Sequence, residues 1–135
     1  IERPSESVLS DQNANSVCNI ETLLEIRDQA TMCFELFLSS NVSNRAVGKM
    51  LHEGWCKKKT LAKGVSNEWI DDVYERALAS GAYGGKLSGA GGGGFLTMMV
   101  PKERSKKVNQ AMTTNGLVPY QFRPDVSGST ISVIE

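Results

Sequence analysis

The stretch Gly84-Gly85-Lys86-Leu87-Ser88-Gly89-Ala90-Gly91-Gly92-Gly93-Gly94, running on into Phe95-Leu96-Thr97-Met98-Met99-Val100, decides how this chain is read. Eight of its thirteen glycines fall between Gly81 and Gly94. A run so poor in side chains is costly to order, because glycine gives up more backbone freedom on folding than any other residue. A fold tolerates the cost where the backbone must approach a ligand closely or take positive φ, so that consecutive amides converge on an anion. Two familiar patterns come near and fail. The Walker pattern needs Ser or Thr after its lysine, and here Leu87 follows Lys86, while Ser80 stands where the first glycine belongs. Gly89, Gly91 and Gly94 satisfy G-x-G-x-x-G. A dinucleotide fingerprint, however, sits between a strand and a helix, and the uncharged run from Phe95 to Val100 reads as a buried strand. The setting is therefore strand–loop–strand. A flexible linker is the plain alternative, but linkers pair Gly with Ser and polar residues, and this loop is flanked by hydrophobic strand.

Working outward, the first half of the chain reads as helix and the second as strands around one helix. Ser5 to Gln12 forms a short helix or turn. Ile20 to Leu38 is a long helix in which Leu23, Arg27, Ala30, Phe34 and Leu38, together with Ile20 and Leu24, recur at helical spacing. Ser43 caps a second helix over about 44–62, with Val47, Met50, Leu51, Gly54, Trp55, Lys58 and Leu61 on one face. Ser66 or Asn67 caps a third; Trp69/Ile70, Val73/Tyr74 and Ala77/Leu78 make its inner side, Asp71, Asp72, Glu75 and Arg76 its wet side, and Gly81 its stop. Tyr83 to Ser88 and Phe95 to Val100 read as strands. Pro101 opens a helix over about 102–114, with Val108, Ala111 and Met112 inside and the Lys102–Lys107 charges in water, and Asn115-Gly116 ends it. Val118 to Arg123 and Ser129 to Ile134 read as two last strands joined by a turn at Asp125–Gly128. The predicted class is α+β: helices packed on one face of a small antiparallel sheet.

Composition sets the outer bounds. The chain has 135 residues and a mass of 14.7 kDa, the size of one domain. Fifteen Lys+Arg balance fifteen Asp+Glu, which argues against a general nucleic-acid binder. No apolar run approaches the ~20 residues of a membrane span, and no signal peptide opens the chain. Cys18, Cys33 and Cys56 are odd in number and widely spaced, a pattern unlike a disulfide framework or zinc site. They read as reduced thiols of a cytoplasmic protein, with Cys33 a small core residue. The start at Ile1 suggests a piece of something longer.

Gly85 through Gly94, ten contiguous residues, resembles the third signature motif of the GHMP kinases, the small-molecule kinases of galactose, homoserine, mevalonate and phosphomevalonate. His52-Glu53-Gly54-Trp55, Lys58-Lys59, Gly64-Val65-Ser66-Asn67 and Ile70-Asp71-Asp72-Val73-Tyr74-Glu75-Arg76-Ala77 resemble the subgroup that phosphorylates D-glycero-D-manno-heptose 7-phosphate to the 1,7-bisphosphate. The likeness implies that residues 1–135 are the C-terminal lobe of a two-lobed ATP-dependent sugar kinase, a ferredoxin-like sheet with helices on one face. The ATP-binding N-terminal lobe, the first two motifs and the acidic residue proposed as base or magnesium ligand are not in this sequence. The resemblance therefore implies no catalytic residue here, and a fragment that is inactive alone. Cofactors would be ATP and Mg2+, bound mainly by the other lobe. Partners would be that lobe and a phosphorylated sugar, with no nucleic acid and no membrane; the isolated fragment would expose an apolar patch and self-associate.

The same likeness places Lys86, Ser88, Gly89, Ala90, Gly91, Gly92 and Gly93 along the donor and acceptor sites. It suggests Arg3, Lys58 and Lys59 for the far phosphate of the acceptor, where cations are needed. Each has a plainer reading. Lys86 can be a solvent-facing strand residue, Ser88 can bond its own loop, and Lys57-Lys58-Lys59 can be a helix end favoured by the dipole. His52 can contact sugar or ATP, or be a buried or capping residue; Trp55, Trp69, Met98 and Met99 read as core. Two other readings stay open: another GHMP kinase of fucose, galactose or mevalonate type, and a non-catalytic anion-binding or interaction module.

Overall fold

The computed structural model describes residues 5–120 and 128. Five α-helices, α1 (Ser5–Ala14), α2 (Ile20–Leu38), α3 (Asn44–Lys59), α4 (Glu68–Ser80) and α5 (Ser105–Thr114), surround β1 (Gly84–Ser88) and β2 (Phe95–Met99), and a 3-10 turn at Lys102–Arg104 leads into α5. The class is α+β, as expected. Local chemistry sets the boundaries. The Ser43 side chain accepts the Ala46 N–H at 3.1 Å and starts α3. Asn67, rather than Ser66, caps α4 by accepting the Ile70 N–H at 2.9 Å. The Ser66 hydroxyl donates instead to Asp71 Oδ1 at 2.9 Å. Gly81 closes α4 at φ 114°, a left-handed geometry in which a Cβ is strained.

Five expectations need correction. The recurrent stripe of α2 faces outward: Leu23, Phe34 and Leu38 are exposed, and the helix has no fully buried residue. Its inner side is Thr22, Ile26, Gln29, Cys33 and Leu36, all half-buried, so Cys33 is not a core residue. The cause is layering: α3 lies against β1, and α2 lies against α3. Trp69 is 52% exposed; Ile70, Val73, Tyr74 and Ala77 already complete the buried side of α4, which rotates Trp69 to its edge. β2 is not a buried strand, since Phe95 is exposed and Leu96 to Met99 are half-buried. Only its Leu96 and Met98 side chains pack on the cores. Val118 to Tyr120 is not strand. The remainder of that segment, the Ser129–Ile134 strand and most of the turn between them lie outside the described residues.

The two strands pair antiparallel, with Gly84 opposite Met99 and Ser88 opposite Phe95. Val8, Trp55, Ala62, Val65, Ile70, Tyr74 and Leu87 form one core, and Val73, Ala77, Val108 and Met112 a second. Glycine decides how closely α3 meets the strand. A Cβ on Gly48 would sit 2.5 Å from the Tyr83 Cβ, and one on Gly84 would sit 2.0 Å from the Gly48 carbonyl oxygen. At this contact Tyr74, from α4, closes the strand edge. Its hydroxyl accepts the Gly85 N–H at 3.2 Å and donates to the Gly85 carbonyl at 3.1 Å. His52 Nδ1 lies 2.9 Å from the same oxygen, with its ring stacked on Tyr74 at 5.7 Å.

A phenol has one proton and two acceptor sites. If that proton goes to the Gly85 carbonyl, His52 must carry its own proton on Nδ1, and every group is satisfied. Burial, opposed by the Gly85 bond and reinforced by the charges of Cys56 and Glu75, pushes the Tyr74 pKa up to about 12. The neutral phenol is thus the folded form.

Two stability predictions follow from these contacts. Gly→Ala in a helix ordinarily gains about 1 kcal/mol, but Gly48→Ala is expected to lose about 1–3 kcal/mol from overpacking against Tyr83; a raised melting temperature would contradict the close approach. Tyr74→Phe leaves Gly85 unpaired and is expected to cost about 1–3 kcal/mol in urea unfolding. Because the folded pKa of Tyr74 is raised, its contribution is complete below the ordinary tyrosine range and is lost as pH climbs through about 12. The wild type should therefore lose stability across that alkaline window more steeply than the Phe variant.

Candidate functional site

The loop between the strands is built from glycines that no other residue replaces. Gly89, Gly91, Gly92 and Gly94 have φ between 71° and 125°, the region where a side chain strains the backbone. A Cβ on Gly91 would lie 2.6 Å from the Val65 Cα, and one on Gly94 2.4 Å from the Ser88 carbonyl oxygen. The loop is also pinned. The Gly92 N–H donates to the Val65 carbonyl at 2.9 Å, and Gln12 Nε2, from α1, donates to the Ala90 carbonyl at 3.2 Å. The Ala90 side chain packs inward on the first core. Gly89 is the open part: a Cβ there would find only the Gly93 carbonyl oxygen, at 3.9 Å.

Cations gather at that open end. Lys58, on the last turn of α3, donates from Nζ to the Gly89 carbonyl. Its pKa is held below the ordinary lysine value, first by burial and then by the neighbouring positive charge of Lys86. Lys86 is exposed and alternates with buried Leu87 along β1. Ser88 Oγ lies 3.5 Å from Thr97 Oγ1 across the strands. Lys59 turns elsewhere: its Nζ donates to Asp71 Oδ1 at 3.0 Å, the oxygen that also takes the Ser66 hydroxyl. Lys57 pairs with Glu25 of α2 at 3.3 Å. Of the three consecutive lysines, one therefore reaches the loop and two serve helix contacts. Arg3 lies outside the described residues.

Tyr74, Gln12 and Val65, which hold the loop and its parent strand, were not singled out by sequence. The Ile70–Ala77 periodicity placed Tyr74 on the inner side, but nothing local points its hydroxyl at Gly85. Beyond Gly92–Gly94 a mostly apolar cleft of about 390 Å³ opens between the loop and α4, lined by Asn67, Trp69, Ile70, Val73, Leu87 and Leu96 among others.

Apart from Gly92, whose N–H is taken by Val65, the amides of this turn stand beside two ammonium groups, a combination suited to an anion. The arrangement can bind and orient a phosphate. The Asp71 carboxylate is committed to Lys59 and Ser66. Among the described residues no cluster of three or more His, Cys, Asp or Glu side chains suits a metal ion. No helix there is long and apolar enough to cross a membrane.

The chain is 31% identical over 109 residues to a D-glycero-alpha-D-manno-heptose 7-phosphate kinase of Campylobacter jejuni, covering 81% of this chain and 30% of that protein. It is 34% identical over 59 residues to a galactokinase of Pyrococcus furiosus, covering 44% of this chain and 17% of that protein. The chain thus spans less than a third of the length of either relative. The family model described as GHMP kinases C terminal matches residues 38–117, from the end of α2 through α5, and with that match covering more than half of its length, the chain belongs to the GHMP kinase family, of which it carries the C-terminal domain.

Proposed function

We propose that residues 1–135 work as the C-terminal lobe of an ATP-dependent sugar kinase that phosphorylates D-glycero-D-manno-heptose 7-phosphate at its anomeric hydroxyl. A preceding lobe supplies most of the ATP and Mg2+ contacts and the catalytic base. In this reading the amides of Gly89, Ala90, Gly91 and Gly93, with Ser88 and Lys86, form the wall against which phosphate groups rest, Gly92 anchors that wall to Val65, and Lys58 answers the 7-phosphate of the acceptor. The protein acts in the cytoplasm, where its three unpaired cysteines stay reduced. The observation that carries the proposal is the Lys58 ammonium lying on the Gly89 carbonyl beside Lys86. Two positive charges at the mouth of a bare-amide loop suit an acceptor that brings a phosphate of its own. With a neutral sugar these charges would meet only the phosphates of ATP. The heptose phosphate kinase likeness covers most of the chain and the galactokinase likeness less than half, which favours the same substrate. Phosphoryl transfer depends largely on positioning and charge stabilisation, so a lobe without a base still bears on rate and affinity.

Two measurements test this. With the two-lobe enzyme and ATP, turnover should be highest on heptose 7-phosphate and weak on galactose, fucose and mevalonate; a preference for a neutral acceptor overturns the assignment of the lysines. Lys58→Ala should raise KM for the phosphorylated sugar roughly ten- to a hundredfold, the effect of losing one charge-assisted hydrogen bond. Lys59→Ala should leave KM within about twofold and cost at most about 1 kcal/mol of stability, as for a surface ion pair. Equal kinetic losses in both variants would show that the basic cluster acts only by bulk charge.

A further inference from the structure

His52 and Cys56 lie one helical turn apart on α3, outside the anion seat, and nothing in the proposed kinase role uses them. His52 Nε2 is 3.7 Å from the Cys56 Sγ, and Cys56 is exposed. The opposite face of the imidazole is fixed. Tyr74 Oη accepts the buried Gly85 N–H and donates to the Gly85 carbonyl, so the His52 nitrogen 2.9 Å away must bring its own proton. The neutral ring has only one N–H. Placing it on Nδ1 leaves Nε2 a lone pair, and that lone pair faces the thiol. The two rings are held nearly parallel, at 16°. The remaining cysteines lack such a neighbour: Cys18 is exposed on the segment before α2, and Cys33 is half-buried within α2.

We propose that His52 and Cys56 form a thiol–imidazole pair that makes Cys56 the preferred site of modification by small disulfides. The base that activates the thiol is held in its accepting tautomer by the Tyr74–Gly85 contact. The step balances without another reactant. Nε2 takes the Cys56 proton, and the thiolate attacks one sulfur of the disulfide R–S–S–R. A new Cys56 S–S–R bond forms as the old S–S bond breaks, and the leaving RS⁻ takes the proton back from the imidazolium as RSH. Cys56 is oxidised and one sulfur of the small disulfide is reduced. Nucleophilicity in such exchange follows the thiolate fraction, so the imidazole confers selectivity between two thiols of similar exposure.

The test is peptide-resolved mass spectrometry of the folded protein at neutral pH, timed after addition of oxidised glutathione or an aromatic disulfide. Cys56 should be labelled at least about threefold faster than Cys18, as expected where a neighbouring base takes the thiol proton. His52→Gln should bring Cys56 down to the Cys18 rate and leave Cys18 unchanged. A Cys56 rate no higher than that of Cys18 in the wild type overturns the proposal without recourse to any variant. So does a Cys56 advantage that survives His52→Gln with the Cys18 rate and the circular dichroism spectrum unaltered.

Discussion

The contact on which the rest of the structure depends is the approach of α3 to β1 at Gly48 and Gly84, where neither chain has room for a β-carbon. It fixes more than packing distance. Ten residues of helix advance about 15 Å, and five residues of strand advance about 16–17 Å. Once Gly48 sits on Gly84, the end of α3 arrives level with the end of β1, and Lys58 falls beside Gly89. The cation is thus delivered to the loop by matched rises of helix and strand. The Tyr74 hydroxyl, bonded to both polar groups of Gly85, keeps the strand from sliding along the helix. A slip by one residue would exchange buried Leu87 for exposed Lys86 and carry the loop away from its lysine.

Much of this was legible in the sequence, and what was not has identifiable causes. Ser43, through its side-chain oxygen, and Gly81, through its left-handed backbone, mark helix ends by local chemistry, so the start of α3 and the end of α4 could be read directly. The strand–loop–strand setting followed from the uncharged run after Gly94. Periodicity shows that α2 has an apolar stripe but carries no information about which neighbour covers it. In this chain the half-polar side with Thr22 and Gln29 faces α3, where Gln29 donates to the Met50 carbonyl at 3.0 Å, and Leu23, Phe34 and Leu38 face away. Trp69 was misplaced for a related reason: adjacent apolar residues on a helix are about 100° apart, and one of the pair must lie at the edge. The same rotation separates Lys58 from Lys59, which composition treats as one cluster and the fold sends to Gly89 and to Asp71. The Tyr74 clamp is a contact between residues eleven apart, set by tertiary packing with no local signal.

The glycine loop combines two properties that usually oppose each other. Its residues are free of side chains, yet it is anchored to the turn between α3 and α4 through Gly92 and Val65, to α1 through Gln12, and to the core through Ala90. A ligand that arrives there finds amides already in place, and the ordering entropy of the glycines has been met by the fold before binding. Preorganised dipoles of this kind stabilise charge without reorganising when it appears. The anchors span α1, α3, α4 and both strands, which explains why a short loop draws on most of the domain.

Lys58 sits in an electrostatic setting unlike that of its neighbours. Its ammonium is partly withdrawn from water and lies close to a second cation, and both influences lower its pKa. Among the described residues it donates to the Gly89 carbonyl, and a neutral carbonyl returns less than a carboxylate does. The neighbouring lysines each have a carboxylate, Glu25 for Lys57 and Asp71 for Lys59. A charge with a neutral partner next to a like charge is held less favourably than a paired one, and an anion placed between the two would relieve it. Perturbed groups in open, preorganised surroundings are found where ligands bind. The electrostatics of the helix end therefore point to the same place as the strained backbone of the loop, although the two arise from unrelated parts of the sequence.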